Sequence, residues 1–177
     1  MLTTILLAPL VAMLVVLVLP PHQQSAIKVV SAIGAGITLV LSLYIAYDFL
    51  ASGLTGFQYR EQIPWISDLG ITYHLGVDGL GMAMVLLTAI VIFTGVFVSW
   101  KIDYRAKEFF ALLLLLVTGV FGVFMSLDLF FFFFFYELAV LPMYLLIGVW
   151  GSTRKEYAAM KLVLMLLAGS ILVWTGL

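Results

Sequence analysis

The chain is 177 residues long, 65% hydrophobic and only 10% charged, with a formal net charge of −1. That composition lies far from soluble domains and makes the lipid bilayer its solvent, so the chain reads as an integral membrane protein. With no cysteine it offers no disulfide, thiolate metal site or cysteine-bound iron–sulfur cluster, and with no basic run, phosphate loop or Rossmann fingerprint it offers no nucleic-acid or NADH site.

In chain order, Leu2 to Leu19 is apolar, with Pro9 inside it and Pro20-Pro21 stopping it. It lacks the basic n-region and small-x-small cleavage site of a signal peptide, so a retained first helix is predicted. Ile27 to Leu50 forms a second helix, in which Ser31, Ala32, Ala35 and Gly36 invite close approach of another helix. Asp48 falls near its end, at the membrane interface. Ala51 to Val77 is the longest polar interval and contains Gly53, Gly56, Arg60, Glu61, Pro64, Asp68, Gly70 and Gly76. The alternation Ile71 to Leu75 suggests a short strand, marginal without a partner. His22 and His74 are the only imidazoles; His74 has no companion at ligand spacing and reads as a surface or packing residue, so no metal site is expected. Asp78 is suited to cap the third helix, Leu80 to Trp100, its carboxylate accepting from an amide in the first turn. A charged connection, Lys101 to Glu108, leads to the fourth helix, Phe109 to Met125. The chain then turns at Ser126-Leu127-Asp128.

The fifth helix carries the chemistry. Leu129 to Trp150 is 22 residues, about 33 Å of α-helix, enough to cross a hydrocarbon core of about 30 Å. Glu137 lies eight residues past Leu129, about 12 Å from one end and about 20 Å from the other. Ionisable groups at such depth usually face a bundle interior and mark ion or proton paths. The competing reading makes Glu137 a protonated carboxyl that bridges two helices by a hydrogen bond. Pro142, five residues on, has no amide hydrogen, and its ring collides with the Leu138 carbonyl, weakening the helix one turn after the carboxylate. The six phenylalanines Phe130 to Phe135 face every direction and are assigned to packing.

A sixth helix is predicted after Gly151-Ser152-Thr153, with Ser152 or Thr153 as cap and Glu156 in its first turn, running to Leu177. Lys161 is a second intramembrane charge, about 12 Å in if counted from Thr153. Two readings stand: an ammonium that snorkels to the near interface, or a member of a proton path in a polar pocket beside Tyr157, Ala158, Ala168 and Gly169. With the N-terminus outside, Lys28, Lys101, Arg105, Lys107, Arg154 and Lys155 fall on the cytoplasmic side and only Arg60 outside, as the positive-inside rule requires.

The string Phe135-Tyr136-Glu137-Leu138-Ala139-Val140-Leu141-Pro142-Met143-Tyr144, with its exit Gly148-Val149-Trp150-Gly151, resembles the fifth transmembrane helix of the antiporter-like membrane subunits of NADH:quinone oxidoreductase (respiratory complex I), in particular the subunit M, or chain 4, branch. Gly76-Val77-Asp78-Gly79 resembles the opening of the third helix in the same family, which gives Asp78 and Gly79 a structural role. The resemblance implies an all-α, polytopic transmembrane bundle of about six spans. Residues 1–101 would be three leading helices with an external loop at 51–77, and residues 102–177 the first, incomplete part of an inverted five-helix repeat.

The function it implies is proton translocation in the membrane arm, with Glu137 as the proton-transfer residue, coupled to electron transfer from NADH to quinone in other subunits. The chain alone is not expected to be catalytic. NADH, flavin, iron–sulfur clusters and quinone are expected on other subunits, with no cofactor here. Expected partners are the bilayer and other membrane-arm subunits, including other antiporter-like ones, and the expected location is the inner membrane of a bacterium. In the family the lysine that pairs with the fifth-helix glutamate lies on the seventh helix, so Lys161 does not inherit that role by position. Alternatives of other kinds are a related cation/proton antiporter or membrane-bound hydrogenase subunit, and a membrane scaffold that does not pump. Residues 1–177 alone are expected to leave a vesicle proton-tight.

Overall fold

A computed structural model of the chain describes residues 1–52, 56–66 and 70–176. The predicted Gly53, Asp68 and the helix end at Leu177 lie outside the described residues. Six helices follow one another: α1 (Leu2–Val18), α2 (Gln24–Ser52), α3 (Gly79–Val98, closed by a 3-10 turn at Ser99–Lys101), α4 (Ala106–Met125), α5 (Leu129–Trp150) and α6 (Lys155–Gly176). Five of them are long and apolar enough to cross a membrane, and α1, at 17 residues, is the shorter apolar helix.

The predicted boundaries hold most closely for α5. Helix α2 starts three residues before Ile27 and α4 three before Phe109, because the polar residues there still satisfy helical hydrogen bonds at the membrane edge. Helix α6 starts at Lys155 rather than beside a Ser152 or Thr153 cap, since Arg154 holds a left-handed backbone (φ 57°) that cannot be helical.

Between α2 and α3 the strand predicted at Ile71 is real but not alone. Strand β2 (Ile71–Val77) pairs antiparallel with β1 (Gln58–Ile66), with Gln62 opposite His74 and Pro64 opposite Thr72. Pro64 hid β1 from the sequence pattern, because proline demotes a strand to an edge. The register is irregular between Gln58 and Glu61, where Tyr59 has a positive φ of 54°.

Helix α4 is the hub, packed against α1, α5, α3 and α2. Its buried stripe Phe110, Leu114, Val117, Phe121 and Met125 recurs every three or four residues, which keeps it on one face. Lipid is as apolar as these side chains, so close fit rather than burial from water holds such helices together. The predicted small-residue stripe on α2 is half right: Ser31 and Ala35 are buried, but the tightest approach is at Gly34, whose added Cβ would lie 2.4 Å from that of Ala12 on α1.

The two ends of the bundle differ in chemistry. At one, polar ties join the helix ends: buried Lys28 pairs with Asp103 at 2.7 Å, Lys107 Nζ donates to Leu19 O at 2.8 Å, and Trp150 Nε1 donates to Tyr104 O at 2.8 Å. At the other, the hairpin is anchored on α1. The Glu61 carboxylate accepts from the Leu2 amide at 3.0 Å, from the Thr3 amide at 3.2 Å, and from the Thr3 hydroxyl and the Met1 amino group. A carboxylate there complements the positive end of α1.

Burial is the largest influence on Glu61 and pushes its carboxyl up. The hydrogen bonds from Met1 and Thr3, with the amino group's charge, together outweigh it and hold the carboxyl below its usual range. Folding therefore favours the ionised form, so the attachment is complete above the ordinary glutamate range and is lost as pH falls through the lowered value. Hydrogen exchange at Leu2 and Thr3 is expected to rise steeply on acidification in the wild type and to be fast and nearly pH-independent, after correction for intrinsic rates, in Glu61→Gln. An identical acid profile in the two proteins would contradict the anchor.

Candidate functional site

Helix α5 starts at Asp128, whose carboxylate accepts from the amides of Phe130 (2.9 Å) and Phe131 (3.2 Å). The sequence predicts a turn here, and an aspartate directly before an apolar run is in addition a helix-start signal. The phenylalanine run packs as expected of a ring of bulk. Phe131, Phe133 and Phe135 are buried, while Phe130 and Phe134 point outward. The buried side is seated on two glycines of α4. A Cβ on Gly119 would meet Ala139 N at 2.8 Å and Phe135 O at 2.9 Å, and one on Gly122 would meet the Phe135 ring at 2.1 Å. These glycines were missed; their three-residue spacing facing an aromatic helix was the available signal.

That seating decides where Glu137 points. With Phe135, Ala139 and Pro142 buried, Glu137 lies toward the uncovered side of α5. It is half-buried in a groove of about 360 Å³ lined by Phe130, Phe133, Phe134, Leu138 and Leu141. Among the six described helices the carboxylate opens onto an outer face. Among the described residues no hydrogen bond or ion pair reaches it. Pro142 is buried, and α5 stays helical through it.

Lys161 is exposed and lines a separate groove of about 370 Å³ with Tyr157, Met160, Leu164, Met165 and Ala168. The expected polar pocket is instead largely apolar, and Ala158 and Gly169 lie outside it. Counted from Lys155, Lys161 is only about 9 Å from the basic end, against about 20 Å for Glu137. The structure does not bring the two together.

Asp78 caps α3 as predicted, its Oδ1 accepting from Gly81 N at 2.7 Å. A Cβ on Gly79 would meet nothing within 4 Å, whereas one on Gly81 would meet Asp78 Oδ1 at 3.0 Å and Phe124 O at 3.3 Å. The packing constraint at this turn thus falls on Gly81. His74 sits in β2 and accepts from Leu127 N through its carbonyl at 2.8 Å; His22 is exposed. Asp48 accepts from the Tyr59 hydroxyl, and burial together with that carboxylate pushes the Tyr59 hydroxyl up to about 12.

Known proteins resemble almost the whole chain. A family profile described as NADH:quinone oxidoreductase/Mrp antiporter, transmembrane, matches residues 126–177. NAD(P)H-quinone oxidoreductase chain 4 2 of Trichodesmium erythraeum is 34% identical over 172 residues, covering 97% of this chain and 31% of the relative. The chloroplastic chain 4 of Chara vulgaris is 36% identical over 176 residues, covering 96% of this chain and 34% of the relative. A chain in the structure of respiratory complex I from Thermus thermophilus with bound NADH superposes with a TM-score of 0.81 at 29% identity, over 96% of this chain and 33% of that one. The chain thus spans about a third of the length of the curated relatives it matches.

Proposed function

We propose that this chain, which is similar to the antiporter-like membrane subunits of NADH:quinone oxidoreductase, supplies part of a proton path in the membrane arm, in which Glu137 takes up and releases the proton. The observation that carries this reading is the setting of Glu137: a carboxylate deep in a membrane helix, on a face that no other described helix covers, with no partner among the described residues. A charge left in that position is costly unless a partner or water reaches it. A basic group on a helix packed against this groove completes the pair, and that helix lies outside the six described here. Helices α4 to α6, residues 102–177, form the opening of the translocating repeat. Lys161 lies in a separate groove nearer the interface. The redox groups that drive translocation sit on other subunits of the complex.

The test is whether Glu137 changes its protonation during turnover. In the intact complex with carbon-13-labelled glutamate, infrared difference spectra on NADH addition should show a protonated-carboxyl stretch that disappears in Glu137→Gln. A difference spectrum unchanged by the substitution would remove Glu137 from the proton path.

The chain's setting is the inner membrane of a bacterium, with the hairpin and the N-terminus outside. The sorting of charges supports this orientation: Lys28, Lys101, Arg105, Lys107, Arg154 and Lys155 lie at the end opposite the hairpin, which carries Arg60. Because the chain has no cysteine, Gly56→Cys gives a clean probe. It should react with impermeant thiol reagents applied from the outside; reaction only from the cytoplasmic side would reverse the topology.

A further inference from the structure

We infer that Asp128 is a positioning residue for Glu137: its carboxylate ties the first turn of α5 to the hairpin and so sets the depth of the Glu137 side chain in the membrane. The inference rests on the proposed role of Glu137.

An ordinary helix cap uses one carboxylate oxygen and leaves the other to water. Here both are committed. Oδ1 accepts from the amides of Phe130 and Phe131, and Oδ2 faces strand β2, accepting from the Thr72 amide at 3.2 Å and lying 3.4 Å from its hydroxyl. The residues before Asp128 join the same strand: Leu127 N donates to His74 O at 2.8 Å, and Ser126 bridges Leu75. Phe131 adds edge-on ring contacts to Tyr73 at 5.3 Å and Trp65 at 6.1 Å. The hairpin is held in turn by α1 through Glu61 and through Tyr73, whose hydroxyl lies 3.2 Å from that of Thr3. Strand β2 runs directly into α3 through Asp78. The start of α5 is therefore fixed to a frame made by α1, the hairpin and α3.

That fixation reaches Glu137 because of where the proline stands. Asp128 and Glu137 are nine residues apart, about 14 Å of uninterrupted helix. The hydrogen bond that Pro142 removes is to the Leu138 carbonyl, one residue beyond Glu137. The segment from Asp128 to Glu137 moves as a rod with its anchor, and the compliant point lies on the far side. Proton transfer needs heavy atoms within about 2.6–3.2 Å, so an axial slip of about 1 Å is enough to break the contact with a partner or a water.

The experiment compares Asp128→Ser, Thr72→Val and Glu137→Gln in the intact complex. Serine still caps α5 but is too short to accept from β2 as well, and valine keeps the shape and amide of Thr72 while removing its hydroxyl. Asp128→Ser should raise hydrogen exchange at Thr72 and Leu127 about tenfold and lower the proton-to-electron ratio. It should also move the pH at half-maximal pumping by about half a unit, a roughly threefold change in the protonated fraction. Thr72→Val should shift the same quantities in the same direction and less. Should Asp128→Ser fail to assemble, Thr72→Val decides on the same readouts. A wild-type pH profile in the assembled variant, with Glu137→Gln unable to pump, would reduce Asp128 to a cap and overturn the inference alone. Wild-type pumping in Glu137→Gln would instead overturn the proposed function, and the positioning role with it.

Discussion

In Gly119→Val the protein fails to accumulate as a folded membrane chain. The atoms that a Cβ at Gly119 would strike are Ala139 N at 2.8 Å, Ala139 Cβ at 2.9 Å and Phe135 O at 2.9 Å. Two of the three are backbone, so no side-chain rotation relieves the clash and α5 must move as a body. Forcing extra atoms into a packed core costs about 1–3 kcal/mol where neighbours relax, and here they cannot. Since lipid offers the separated helices an equally apolar surface, nothing outside the contact draws them back. Gly148→Val is the control, because a Cβ there meets only Ala159 Cβ at 3.9 Å, an ordinary contact. The measurement is the amount of protein in the membrane and its melting temperature in detergent. The Gly119 variant should be depleted or absent, and the Gly148 variant close to wild type. Equal levels of the two would show that α5 is not seated as described.

The six helices were legible because their apolar runs are long and punctuated by Pro20-Pro21, Asp78, Asp128 and Gly151. The hairpin was half legible. Strand β2 shows its alternation, while β1 carries Pro64 and a bulge at Tyr59 that disguise it. Depth along α5 was legible too, since it is a count of residues. Direction around α5 was not: the helix is apolar on every side, so periodicity gives no clue to which face α4 covers. Only the seat made by Gly119 and Gly122 fixes that face, and it turns Glu137 outward. The same limit applies to Lys161, whose neighbours by spacing included Ala158 and Gly169 but whose actual groove is lined by Met160, Leu164 and Met165. Tertiary ties such as Lys28 to Asp103, Glu61 to α1 and Asp128 to Thr72 join residues 56 to 75 positions apart. No local pattern announces ties of that span.

Glu137→Gln is the second large effect, and it bears on the central claim. Glutamine keeps the length of the side chain and its hydrogen bonding, so the packing around Phe133, Phe134, Leu138 and Leu141 should survive and the complex should assemble. What glutamine cannot do is bind and release a proton. Loss of a positioned acid–base group slows proton transfer by about 10²-fold or more, so translocation through this subunit should collapse at normal assembly. Glu137→Asp keeps the carboxyl but withdraws it by one methylene, and should recover part of the activity.

The decisive measurement is the proton-to-electron ratio of the intact complex in sealed membranes, wild type against Glu137→Gln, at matched amounts of assembled enzyme. The account predicts a clearly lowered ratio in Glu137→Gln with partial recovery in Glu137→Asp; a wild-type ratio in Glu137→Gln would contradict it.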